Sequence, residues 1–144
     1  MIERERIYAA LWRIASGSAQ YATASRRLRH WNDVTPPEQP ALFMSEKHGN
    51  ARSGGFGLTQ EYHLEADFYI YCHEIDPYIA PGIQLNHLID ALDRALAPDQ
   101  VSGINNLGLD GMVIHTRIEG RIETDEGLLG GQAIAVVPVV VLAV

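Results

Sequence analysis

Six histidines, one cysteine and a cluster of carboxylates are the residues here that could do chemistry. Their spacing decides whether they do. His30, His48, His63, His73, His87 and His115 are scattered over segments of different character. None stands on a helix beside a second ligand at metal-binding spacing. His63 and His73 share a strand face with Glu65 and Asp67. The ends of that face lie too far apart for one ion, at ~3.3 Å per residue, so a surface or interface face is expected. Glu119, Glu123, Asp125 and Glu126 suggest a glycosidase-like carboxylate pair, which needs a pocket that raises one pKa. Arg117 and Arg121 alternate with them and would keep them ionised, so the expectation is a solvated or cross-subunit salt-bridged strand face.

Cys72 is the sole cysteine, so no intramolecular disulfide can form and a reducing cytoplasm suits folding. It lies in a strand-like run and reads as a small buried hydrophobe, with His73 pointing to the opposite face. Ser53-Gly54-Gly55-Phe56-Gly57 is glycine-rich, but a phosphate cradle needs a helix N-terminus after it, and a strand follows instead. No serine sits in a nucleophile elbow. The residues therefore predict no catalytic group, no cofactor and no metal, and the chain reads as a non-enzyme.

One segment, Arg26-Arg27-Leu28-Arg29-His30 with Trp31 beside it, could touch nucleic acid by charge and stacking. The chain as a whole carries a formal charge of −7, which speaks against a dedicated nucleic-acid binder. The run is better read as an edge whose cations discourage stray pairing or meet a neighbour's acidic strand.

The elements that must position these residues follow from periodicity. Ile7, Leu11 and Ile14 fall on one face of a helix from Arg4 to Ala15, closed by Ser16-Gly17-Ser18. The charged start of the chain reads as the entry to that helix, not as a signal peptide. A proline-stiffened turn, Asn32 to Pro40, leads into a short strand, Ala41 to Met44. Lys47 to Gly57 has almost no apolar anchor and is expected to be a mobile loop. Tyr62 to His73 alternates, with Leu64, Ala66, Phe68, Ile70 and Cys72 on one face and one wet or partner-facing side.

A second helix is predicted over Ile83–Leu96, with Leu85, Leu88, Ile89, Leu92 and Leu96 as its stripe. Val113 to Thr124 reads as one strand, with Ile114, Ile118 and Ile122 on one face and His115, Arg117, Glu119, Arg121 and Glu123 on the other. Ala133 to Val141 is apolar on both faces and should be central in the sheet or covered by a partner; Pro138 complicates a central place, and an edge position covered by another subunit reconciles both. No stretch is long and apolar enough to be read as a membrane span. The 144 residues thus predict one α+β domain: a mainly antiparallel sheet of about five strands with two helices on one face.

Three tracts carry a family resemblance. Arg26-Arg27-Leu28-Arg29-His30-Trp31, then Pro36-Pro37-Glu38-Gln39-Pro40 with Ala41-Leu42-Phe43, resemble the front half of minor tail proteins of long-tailed phages and prophages. Ile118-Glu119-Gly120-Arg121-Ile122-Glu123-Thr124-Asp125-Glu126-Gly127, with Gly131-Gln132-Ala133, resembles their back half. The resemblance covers nearly the whole chain and brings no catalytic motif. It implies a tail terminator of the minor tail protein U type, a virion protein assembled in the host cytoplasm. Such proteins form a ring, commonly a hexamer, that ends tail-tube growth and offers the joining surface for head or neck proteins. DNA would pass through the ring without specific binding. Neck and head-completion proteins of the same phages share this size and α+β content, and a small DNA-contacting connector is the rival from another class. The residues expected at the subunit interface are Arg26, Arg27, Arg29, Arg117, Glu119, Arg121, Glu123, Val139 and Val140.

Overall fold

The structure is a computed structural model that describes residues 2–144. Helix α1 runs Arg4–Ser16 and buries Ile7, Tyr8, Ala10, Leu11 and Ala15. Glu5 in its first turn and Arg13 in its last agree with the helix dipole. Helix α2 runs Gly82–Ala95 and buries Leu85, Leu88 and Leu92, with Leu96 buried just past its end. Both helices pack on the same face of one sheet. Their leucines and isoleucines meet Leu42, Met44, Leu64, Phe68, Ile70, Val137 and Val139 in a single core.

The sheet has six strands: β1 (Thr23–Ser25), β2 (Ala41–Arg52), β3 (Glu61–His73), β4 (Val113–Ile118), β5 (Glu123–Leu129) and β6 (Gln132–Ala143). Their order is β1-β2-β3-β6-β4, with β5 also paired to β6. Only β1 pairs in parallel, so the sheet is mixed and mainly antiparallel, and the α+β domain is as expected. The alternation of β3 is kept: Leu64, Ala66, Phe68, Ile70 and Cys72 are all buried under the helices.

Three expectations are corrected. The last strand is not at an edge. β6 lies in the middle, with β3 along one side and β4 and β5 in succession along the other. Pro138 is tolerated there because the ladder is already interrupted beside it. The Pro138 carbonyl accepts from the Glu119 N–H on the β4/β5 side, and a strand residue's nitrogen points the same way as its carbonyl. The missing donor therefore faces the gap between Ile118 and Glu123, where Gly120 crosses with φ +115°. A Cβ on Gly120 would lie 3.2 Å from the proline ring.

That same break splits the single strand expected from Val113 to Thr124 into β4 and β5. A register shift between Val113 and His115 also changes the inward phase. Val113 and Thr116 are buried, while Ile114 and Ile122 are exposed.

The third correction concerns Lys47 to Gly57. Lys47–Arg52 belongs to β2 and is part of a hairpin that still pairs at Arg52 and Glu61, leaving Ser53–Gln60 as the connection. Every residue from Glu46 to Gln60 is exposed, as the composition implied. Ladder hydrogen bonds join backbones and need no apolar side chains, so exposure did not prevent strand pairing.

Candidate interface on the open sheet face

The face away from the helices is only partly covered. A strap from Arg26 to Pro40, with short 3-10 turns at Trp31–Asp33 and Pro36–Glu38, crosses one end of it. Val34 and Trp31 pack there on Ala41, Phe43, Tyr69, Tyr71 and Ile134. The Tyr71 hydroxyl donates to the Arg29 carbonyl at 2.7 Å. Gln39 and Gln132 exchange two amide hydrogen bonds of 2.9 Å each, tying the strap to the start of β6. Tyr71 thus has a structural part here. It fastens the strap, and burial pushes its pKa up to about 12.

Beyond the strap the face stays open. Val136, Pro138, Val140 and Leu142 run down β6 as an apolar stripe, half-buried except for the buried Val140. On β3 their partners are Tyr69, Asp67, Glu65 and His63. On the other side Val136 faces Glu123, Val140 faces Arg117 and Leu142 faces His115. Lys47 reaches Asp67 at 3.5 Å, and its pKa is raised by Tyr69 and by that carboxylate. The arrangement is an apolar strip between two polar columns, a form suited to docking another surface and poor in convergent groups for catalysis.

The interface residues expected from the sequence are not all brought together. Arg26, off the strap end of β1, makes a two-pronged ion pair with Glu5 at 2.6 and 2.9 Å and reaches Glu46 at 3.2 Å. This pairing holds the Glu5 carboxyl below its usual range and raises the Arg26 pKa. Arg29 binds Glu38 at 2.8 Å and the Asp33 carbonyl at 2.7 Å, so it stiffens the strap from within. Arg117 is paired at 3.1 Å with Glu119, just past the end of its own strand. Arg27, Arg121 and Glu123 are exposed and make no ion pair among the described residues. Val139 is fully buried under the helices and is unavailable to a partner in the folded subunit. Val140 is on the open face. Sequence reasoning missed Val136, Pro138 and Leu142, although the period of two in β6 already puts them beside Val140.

Among the described residues no three of His, Cys, Asp and Glu are placed to hold a metal ion. No helix is long and apolar enough to cross a membrane. Cys72 is buried under the helices, and burial pushes its thiol up to about 12 from an ordinary 9. With Tyr71 also raised from 10, both groups favour their protonated forms in the fold. Their contribution to stability is full below about pH 9 and is lost as pH rises towards 12, where the unfolded chain releases protons first. Alkaline unfolding should therefore steepen above pH 9, and the Cys72→Ala, Tyr71→Phe double variant should flatten that limb in denaturant titrations. Equal pH slopes for variant and parent would refute the assignment. No protein-family model matches this chain, and no curated protein matches it.

Proposed function

We propose that the protein is a tail-terminator subunit of a long-tailed phage or prophage, a structural ring component without enzymatic activity. Its partners would be further copies of itself, the tail tube below and head or neck proteins above. The observation that carries this reading is the open face of β6. A central strand presents Val136, Pro138, Val140 and Leu142 on the side that the helices do not cover. Apolar area on a sheet face, rimmed by charge, is a usual form for a protein–protein contact. The acidic balance suits a hole through which DNA slides, because it repels phosphate. The resemblance of the Arg26–Phe43 and Ile118–Ala133 tracts to minor tail proteins supplies the specific assembly.

Six subunits would carry −42 formal charges, six times −7, so the contacts must offset repulsion locally and draw their affinity from apolar burial. The test is solution mass with particle images. A mass that is a multiple of 15.9 kDa, and rings with a central hole, are expected. Globular particles without a hole at every concentration would overturn the reading.

A further inference from the structure

The two ends of the sheet are unlike each other, and each exposes apolar side chains that nothing in the subunit covers. At one end the β2–β3 hairpin carries Phe56, fully exposed, and Leu58, 67% exposed. Between Lys47 and Gln60 the hairpin holds two cations, Lys47 and Arg52, and no carboxylate. Lys47 already meets Asp67, whereas Arg52 has no ion-pair partner among the described residues. At the other end, the loop after β3 leaves Ile75 84% and Tyr78 95% exposed, with Ile79 also exposed. Glu74 and Asp76 flank these side chains. Their carboxylates fix the loop by accepting from the Asp76 and Tyr78 N–H groups. Between this loop and the β5–β6 turn lies a cleft of about 350 Å³ walled by Ile75, Ile79 and Pro81.

The tip cannot fill its own subunit's cleft. β3 separates them by thirteen residues, roughly 40 Å at ~3.3 Å per residue. A basic, aromatic projection at one end and an acidic, apolar cleft at the other make a surface complementary to a second copy in the same orientation.

We infer that the hairpin tip of one copy docks in the cleft between the 74–81 loop and the β5–β6 turn of the next copy. Phe56 and Leu58 enter against Ile75 and Ile79, and Arg52 meets Glu74 and Asp76. The contact is head-to-tail, so it closes into a ring if the rotation between copies closes and extends as a filament if it does not. This rests on the reading of the chain as a self-assembling subunit and adds which ends meet. The open β6 face supplies area, and the two ends supply direction.

The test mixes two variants of the full chain, each with one end disabled. Phe56→Asp removes the tip and Ile75→Asp removes the cleft wall. Both positions are exposed, so each variant should melt like the parent. Alone, each should self-associate about 30-fold or more weakly than the parent in sedimentation, the scale of a central aromatic or aliphatic anchor. Mixed at equal amounts, the intact cleft of one and the intact tip of the other should restore a pair that grows no further. Variants that each keep the parent's oligomers would overturn this contact and leave self-assembly standing. Variants that dissociate without forming the mixed pair would also overturn it, because the two ends then do not meet. A parent protein that stays monomeric at hundreds of micromolar would overturn the contact and the ring reading together.

Discussion

Val139→Asp is expected to leave the chain unfolded or nearly so, while Val140→Asp, one residue on, gives a folded protein that assembles poorly. The two side chains point to opposite faces of β6. Val139 is wholly inaccessible and packs in the core beneath the helices. A carboxylate there must either be buried charged or take up a proton at neutral pH, and it loses the packing of a valine as well. A cost of about 4–5 kcal/mol or more is comparable to the whole stability of a domain, about 5–15 kcal/mol. Val140 is 8% exposed on the open face, with Arg117 as its neighbour on β4. An aspartate there can turn towards the Arg117 guanidinium and solvent, at a cost of about 1–3 kcal/mol. Where Val139→Asp still folds, melting followed by circular dichroism should place it below Val140→Asp by at least ~2 °C, given about 2–4 °C per kcal/mol at this length. Val140→Asp should then weaken self-association more than Arg121→Glu, since an exposed ion pair is worth about 0–1 kcal/mol. Similar melting of both valine variants would show that the assigned facing of β6 is wrong.

The second large effect is expected at Gly131, and a control lies at Gly82. A Cβ on Gly131 would fall 2.1 Å from the Glu74 carbonyl oxygen, an atom of the backbone. Gly131 in turn accepts a hydrogen bond from the Glu74 N–H at 2.9 Å, so the ends of β3 and β6 are clipped together there. Neither chain can retreat without breaking the clip, and Gly131→Ala should cost about 2–3 kcal/mol, the scale of overpacking. At Gly82 a Cβ would overlap the Glu126 carboxylate even more severely. That obstacle is the end of a flexible, exposed side chain, which can swing into solvent. Gly82→Ala at the first turn of α2 should therefore be within about 0.5 kcal/mol of the parent. Urea titrations of the two variants give the comparison. Equal midpoints would mean that the strand ends part freely and that the clip carries no strain.

The legible parts of this fold were those whose burial is local and periodic. The stripe Leu85, Leu88, Leu92, Leu96 and the alternation Leu64 to Cys72 each need only one face to be covered, so the pattern alone gives the element. What the pattern lost was phase and neighbourhood. The shift between Val113 and His115 and the crossing at Gly120 reset which isoleucines face inward, and a period count cannot see an interruption of the ladder. Pro138 was read as a mark of an edge because its missing donor was assigned to a continuous neighbour, when the neighbouring ladder has a gap at that point. The strap was missed as cover for Tyr71, because Trp31 and Val34 reach it across about forty residues of sequence. The arginines of the site were visible as charges. That Arg26, Arg29 and Arg117 already answer to Glu5, Glu38 and Glu119 depends on three-dimensional proximity that spacing does not encode.

The central place of β6 also sets an order in time. Its residues, 132–143, are synthesised after the other five strands of the sheet, yet three of those strands hydrogen-bond to it. While the chain emerges, β3 has only the β2 hairpin for company, and the core side of Phe68 and Ile70 stays without its β6 neighbours. β4 and β5 have no ladder at all until β6 arrives, since neither pairs with anything else. Most native contacts are thus between segments distant in sequence, which makes closure of the sheet a late and slow event. In the interval the nascent protein presents an unpaired strand edge and an apolar face to its surroundings. Such an intermediate is open to wrong pairing with other chains, the more so the higher the concentration.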